Sequence, residues 1–337
     1  MMKKILLVTG NDGYFAQKKF PWQSLDVVNM KERLVELGYD VEIMTFQVLQ
    51  KTKFNEIGNY IVYTSSQKIE LKKYIEDTMY FFDRDNTLIP SYEALKAHDN
   101  KGFQVYMAKK YGFNLIESNY FSDYKEVTNI RDYPIVFKFA NGASSQGVRL
   151  IKVFEDLKKS VFFIDSISQN IVRLKRKLKE LVFKARFDKP WHEYISYGES
   201  RFVLQSFVKD LDCDYKVLVF GEKFYILKRL IQGDDFRASG SGLHSLEIGS
   251  DIISILDEAK AFTDKYPSHV YSLDICVSNL EAKVIEFQFT HVGPVTLTDS
   301  NCYYISKNDN WKKVEGKSNL EQEYCSAIDI YINRVSQ

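Results

Sequence analysis

The chain opens on an unbroken apolar run, Ile5-Leu6-Leu7-Val8, and then alternates strand-like and helix-like segments for about its first hundred residues. A short continuous apolar run suits a strand buried on both faces, because a half-exposed strand alternates instead. The turn residues Gly10-Asn11-Asp12-Gly13 follow it. Leu25, Val28, Leu34 and Leu37 then recur at helical intervals, with Ser24 as the candidate cap and Gly38 as the stop. Val41–Phe46 reads as the next strand. Tyr60–Thr64 and Tyr80–Phe82 are shorter strand candidates, with a charged helix over Glu70–Asp77 between them. Strands alternating with helices predict a parallel sheet covered by helices.

The same run is too short for the apolar core of a signal peptide, which needs ~7–15 residues. No window approaches the ~18 apolar residues of a membrane span. A cytoplasmic protein without a membrane partner is the expectation. At 337 residues the chain is long enough for more than one domain. Its 46 basic and 45 acidic side chains leave a net charge of +1, which argues against a body built to bind nucleic acid or anionic membrane. Cys213, Cys276, Cys302 and Cys325 are too widely spaced for a zinc ribbon or a redox pair, so free thiols are expected.

Gly10–Gly13 lacks the full glycine pattern of a dinucleotide loop, and no capped helix follows at once. A plain turn is the preferred reading. Further along, Lys101–Tyr111 reads as a helix stopped by Gly112. Ile135–Phe139 and Val148–Val153 read as a hairpin with a polar tip over Asn141–Gly147. Ile171, Leu174, Leu178, Leu181 and Val182 lie at helical spacing opposite Arg173, Lys175, Arg176, Lys177 and Lys179. A solvated basic face is the plain reading of that helix, and contact with an anionic substrate or polymer is the alternative. The last third is dense in strands: Phe202–Phe207, Tyr215–Phe220, Lys223–Leu230, Tyr271–Val277 and Lys283–Phe289, with a helix over Asp251–Phe262.

Several side chains stand out chemically. Lys138 lies mid-strand between Phe137 and Phe139, where a buried lysine needs a partner. The small residues of Asn141–Gly147 let backbone N–H groups approach a polyanion. Glu286 and Gln288 share one strand face, with Phe287 and Phe289 on the other. The short loop Ser278–Ala282 makes a hairpin in which Asp274 can face Glu286. Two carboxylates and an amide oxygen suit Mg²⁺ bound between protein and nucleotide phosphates. An exposed polar sheet face is the alternative. Arg237 precedes the Gly/Ser loop Ala238–Gly242, a setting for a mobile anion clamp.

In this order the segments resemble the ATP-grasp superfamily of carboxylate–amine ligases, most closely its ribosomal-protein glutamate ligase and glutathione-synthetase-like branch. The matching segments span residues ~90–300. They are His98–Lys101, Val136–Val148, Phe202–Val208 with Asp214–Gly221, Asp235–Ser239, and Ser272–Pro294. The resemblance implies an α/β (α+β) protein with the ATP-grasp fold. Residues 1–97 would form a Rossmann-like N-terminal domain and 98–200 a central subdomain with the phosphate loop and basic helix. Residues 201–337 would form a C-terminal subdomain with the hinge and metal site. It further implies that Lys101 and Lys138 contact the ATP phosphates. Ser144, Ser145 and Gly147 would belong to the loop over them. Ser206 and Phe207 would form the adenine hinge, and Asp214 would hold ribose. Arg237, with Ser239, would bind the transferred phosphate, so that Arg237 and Lys138 carry the catalysis. Asp274, Glu286 and Gln288 would ligate two Mg²⁺, with Mn²⁺ as a substitute. The chain departs from the family pattern at Gln288 (usually Asn), Ser206 (usually Glu), Lys216 (usually Arg) and Ala143 (often Gly).

The chemistry so implied is amide or peptide bond formation through an acyl phosphate, from small-molecule carboxylate and amine substrates such as an amino acid, a peptide or a sugar acid. Asn141–Gly147 and Ala238–Gly242 would be lids that exclude water. His244 and His291 are candidate bases for the amine, although a structural role is the plainer reading. His98, His192 and His269 have no assigned chemistry. Three other readings stand beside the ligase: an ATP-dependent kinase or phosphotransferase on the same scaffold, a non-catalytic nucleotide-binding protein, and a polyanion binder using the basic helix. Many relatives of this kind form homo-oligomers, and the sequence does not decide the point.

Overall fold

The computed structural model describes residues 3–19, 23–52, 57–127, 132–141, 147–162, 178, 201–232, 236–238, 242–290, 292–308 and 310–337. Residues 1–116 with 208–337 form one compact unit, and Glu117–Phe207 form a second. The described residues form a mixed α/β structure with three sheets.

The first unit begins with four parallel strands: β1 (Lys4–Thr9), β2 (Asp40–Thr45), β3 (Tyr60–Tyr63) and β4 (Thr87–Ile89), in the order β2-β1-β3-β4. β1 is central, and Ile5 to Val8 are fully buried, as a strand covered on both faces should be. Ile5 and Leu7 pack with Met30 and Leu34 of the helix Val27–Glu36 on one face. Leu6 and Val8 pack with Phe46, Ile75 and Met79 on the other. The cap of the first helix is Asp26, whose carboxylate accepts from the Asn29 N–H at 3.0 Å. Ser24 does not cap it, because its hydroxyl is held by the Phe15 backbone. Tyr80–Phe82 is not a strand. It is the last turn of the helix Ile69–Phe82, which buries Ile75, Thr78, Met79 and Phe82 at helical spacing. That burial outweighs the strand preference of an aromatic run.

The second unit is a four-stranded antiparallel sheet of β5 (Ser118–Phe121), β6 (Ile135–Phe139), β7 (Arg149–Ile151) and β8 (Phe202–Ser206), ordered β5-β8-β6-β7. Phe137 and Phe202 stack at its centre, with ring centroids 5.2 Å apart. Gly147 re-enters this sheet at φ +76°, and a Cβ there would lie 2.3 Å from the Phe139 ring, so glycine is required. The basic helix over 171–182 lies outside the described residues except for Leu178.

The first unit resumes with the largest sheet. It contains β9 (Cys213–Phe220), β10 (Lys223–Leu230), β11 (His244–Ser245), β12 (Val270–Ser278), β13 (Glu281–Gln288), β14 (Cys302–Lys307) and β15 (Asn310–Glu315). Its main path runs β13-β12-β9-β10-β14-β15, all antiparallel. One face carries Tyr215, Val217, Leu273, Ile275 and Phe287 onto Ile255, Ala259 and Phe262 of the helix Ile252–Lys265. The opposite face packs Leu218, Phe220 and Val270 against the C-terminal helix Leu320–Val335. Burying each large apolar side chain contributes roughly 1.5–3 kcal/mol, and this sheet buries such side chains on both faces. No helix among the described residues is long and apolar enough to cross a membrane.

Candidate active site

The β12–β13 hairpin is the centre of the candidate site. Asn279 and Leu280 turn it with φ of 51° and 65°, the left-handed values a two-residue hairpin turn demands. Asp274 stands directly opposite Glu286, and the register then shifts, so that Ile275 faces Val284 and Ile285 is the extra residue. This bulge reverses the parity of β13. Ala282 and Val284 point into the core before it, and Phe287 and Phe289 point into the same core after it. Glu286 and Gln288 are thereby placed on the opposite face, as bulges do when they re-aim side chains. Strict alternation from Val284 would have put Val284 and Glu286 on the same side.

Across this face runs a register row. Lys216 of β9 lies opposite Asp274 of β12, which lies opposite Glu286 of β13. Lys216 Nζ is 3.3 Å from Asp274 Oδ1, and Arg229 on β10 reaches Asp274 Oδ2 at 3.0 Å. Burial works against the Asp274 charge, but Arg229 and then Lys216 outweigh it and hold the carboxyl well below the usual range. Arg229 also grips Asp214 in a two-pronged pair, with Nε and one terminal nitrogen donating at 2.6 and 2.8 Å. Both Asp214 oxygens therefore face the arginine.

The helix Lys101–Tyr111 supplies the other side of the site. Asn100 caps it by accepting from the Phe103 N–H at 3.1 Å, and Gly112 ends it at φ +68°. Its first residue, Lys101, is 9% exposed and lies 3.3 Å from Glu286 Oε1. Just before it, Asp99 at φ +52° accepts from Gln288 Nε2 at 3.4 Å and lies 3.3 Å from His98 Nε2. Lys72 donates to the His98 carbonyl, which ties the helix Ile69–Phe82 to this segment. His98 is fully buried, and its imidazole is pushed down to about 3, chiefly by burial and then by Lys72 and Lys101.

Of the residues singled out in the sequence, Lys101, Asp214, Asp274, Glu286 and Gln288 come together in the first unit. Arg237 lies in the same unit, half-buried beside the Phe236 ring. Lys138 (7% exposed), Gly147, Ser206 and Phe207 belong to the second unit. There the Ser206 N–H donates to the Glu117 carbonyl at 2.9 Å. Ser144, Ser145, Ser239, His192 and His291 lie outside the described residues. His244 is exposed, 3.9 Å from Asp299. Sequence reading passed over Arg229. Its neighbour Lys228 is also cationic, and only the register Arg229↔Asp214 reveals which of the two faces the acids.

The donor chemistry fits Mg²⁺. Two carboxylates and an amide oxygen on adjacent strands are the hard ligands that ion takes, and Asp274 is ionised at neutral pH. Among the described residues no three His, Cys, Asp or Glu side chains converge as a self-sufficient metal cage. Mg²⁺ held by one or two carboxylates together with phosphate oxygens needs none.

No family model matches the sequence, and no curated protein matches it. Solved structures do match in shape. D-cycloserine synthetase DcsG is 10% identical, with a TM-score of 0.55 over 97% of this chain and 98% of that one. N5-carboxyaminoimidazole ribonucleotide synthetase from Thermotoga maritima is 13% identical, with a TM-score of 0.55 over 98% of this chain and 76% of that one. D-alanine–D-alanine ligase from Bacillus anthracis, complexed with ATP, is 13% identical, with a TM-score of 0.50 over 99% and 98%. The protein has the ATP-grasp fold that these structures share.

Proposed function

We propose that this protein is an ATP-dependent carboxylate–amine ligase that works through an acyl phosphate. The observation that carries the reading is the row Lys216–Asp274–Glu286, flanked by Lys101, Arg229 and Gln288 on one face of an ATP-grasp sheet. Two acids lie side by side there with a cation at either end, Lys216 and Lys101, which suits a metal-bound triphosphate: oxygen ligands for the metal and positive charge for the phosphates. The ATP complex among the similar structures supports nucleotide use.

Asp274, Glu286 and Gln288 would hold Mg²⁺, which supplies charge neutralisation at the phosphates when bound. Lys101 and Lys138 would contact the phosphates, with Ser144, Ser145 and Gly147 in the loop that covers them. Ser206 and Phe207 would present main-chain groups to adenine. Arg237, with Ser239, would bind the phosphoryl group in flight. Asp214 would reach ribose only by giving up one prong of its pair with Arg229; in its present geometry it orients that arginine. A substrate carboxylate oxygen attacks the γ-phosphorus, and the bond to the bridging oxygen breaks to release ADP. The amine then attacks the acyl carbon, loses a proton, and expels inorganic phosphate. Positioning and charge do the catalysis, so no nucleophilic side chain is required.

The test is a panel of carboxylates and amines scored by ADP release, with products weighed by mass spectrometry. The ligase reading expects ADP and phosphate only when both substrates are present, with a product mass equal to their sum less water. A stable phosphorylated product formed without an amine would make the protein a kinase. ATP binding without turnover by any pair would make it a binding protein.

A further inference from the structure

Asp99 and Lys101 lie two residues apart, and so do Glu286 and Gln288 on β13. The two pairs meet one to one. Lys101 Nζ is 3.3 Å from Glu286 Oε1, and Asp99 Oδ1 accepts from Gln288 Nε2 at 3.4 Å. A cation thus meets the carboxylate, and a carboxylate meets the amide. The first contact balances charge, and the second sets an orientation.

A glutamine amide stands one rotatable bond further from the backbone than an asparagine amide, and its last torsion is broad. The position of Gln288 on the strand therefore does not decide which way its oxygen points. An ionised carboxylate only accepts hydrogen bonds, so the amide turns its nitrogen to Asp99. The reverse orientation would set two acceptors against each other. Among the described residues this is the one hydrogen bond of the Gln288 side chain, and its Oε1 has no partner. That oxygen is left open on the face Gln288 shares with Glu286.

Asp99 is itself held firmly. It is 8% exposed and sits at φ +52°, where a residue other than glycine is kept by its surroundings. On one side the His98 N–H donates to the Leu95 carbonyl, and the His98 carbonyl accepts from Lys72. On the other, the Asn100 N–H donates to the Ala97 carbonyl, which Gln104 Nε2 also reaches at 3.0 Å. The second carboxylate oxygen, Oδ2, lies 3.3 Å from His98 Nε2. The acceptor is presented from a backbone fixed before and after it.

We infer that Asp99 is a positioning residue for Gln288: it takes the amide nitrogen and so keeps the amide oxygen for the divalent cation that Asp274 and Glu286 would also ligate. Partners of this kind orient the ligands that touch a metal. The orientation stands on the geometry of Asp99 and Gln288. That the oxygen serves a magnesium ion rests on the reading above.

The experiment is titration of the full chain with Mn²⁺ in place of Mg²⁺ at one fixed, saturating ADP concentration. Binding is read by water-proton relaxation, which rises when the ion is held on the protein. Asp99→Asn is made in the wild type and in the Gln288→Asn background. Asp99→Asn suits φ +52° as well as the native residue does, but its amide also donates, so the Gln288 amide can turn either way. Gln288→Asn shortens the ligand by one methylene and takes its nitrogen out of hydrogen-bond reach of Asp99. Asp99→Asn should weaken Mn²⁺ by about tenfold or more in the wild type, and by at least about fivefold less in the Gln288→Asn background, with every variant melting as a folded chain. Equal losses in both backgrounds would make Asp99 a source of charge or a ligand in its own right, and overturn the assignment. Unchanged affinity in Asp99→Asn, or a wild type that holds no Mn²⁺, would also overturn it. Mn²⁺ binding that depends on Asp99 through Gln288, without ADP release from any substrate pair, would keep the assignment and reject the ligase. Ligation of a carboxylate to an amine with Mn²⁺ affinity indifferent to Asp99 would do the reverse.

Discussion

Lys101 Nζ lies 3.3 Å from Glu286 Oε1, so the first residue of a helix is tied to the strand face that holds the acids. Glu286 thus has two parts in the account: metal ligand and anchor for a phosphate-binding lysine. Glu286→Ala removes both. Turnover should fall by about 10²-fold or more while the protein stays folded, measured by ADP release alongside a thermal melt. Undiminished ADP formation would refute the metal assignment.

Lys138 follows Phe137 and precedes Phe139 on β6 and is only 7% exposed. If it neutralises a phosphate, Lys138→Ala should weaken ATP by about tenfold or more in a direct binding titration. Equal affinity in wild type and variant would count against the clamp.

Arg229 sits between the buried Asp214 at 2.6 Å and the half-buried Asp274 at 3.0 Å. Removing it leaves carboxylates buried without their main counter-charge. Arg229→Ala should cost about 3–5 kcal/mol in urea unfolding. Arg229→Lys should recover part of that, since it restores the charge but not the fork. A loss near zero for the alanine variant would show that the pair is not structurally coupled.

His269 is fully buried beside the Tyr324 ring, and burial pushes its imidazole down to about 3. The folded state therefore refuses a proton that the unfolded chain accepts near 6.5. Its contribution to stability is complete above pH 6.5 and is lost as the pH falls from there toward 3. The slope is up to about 1.4 kcal/mol per pH unit. His269→Phe should flatten the dependence of the urea midpoint on pH between 6.5 and 5. An unchanged slope would mean the imidazole is not buried neutral.

Much of the architecture was legible because local chemistry and tertiary burial agree. The helix Lys101–Tyr111 is bracketed by Asn100 and Gly112, and local alternation puts Glu286 and Gln288 on one face with Phe287 and Phe289 on the other. Tyr80–Phe82 misled because three aromatics suit a strand, while the spacing of Ile75, Met79 and Phe82 extends a helix whose start lies eleven residues earlier. The hairpin β14–β15 left little trace, since most of its residues are partly exposed and no apolar face stands out. The bulge at Ile285 was invisible because both apolar parities occur in β13, and only pairing with β12 shows where they exchange. Arg229 was hidden for the same reason: its meaning lies in the strand opposite.

The most direct measurement follows heavy oxygen from a labelled substrate carboxylate in a carboxylate–amine pair that supports ADP release. The account predicts one heavy-oxygen atom in the inorganic phosphate released for every amide formed. Amide formation with unlabelled phosphate would contradict it.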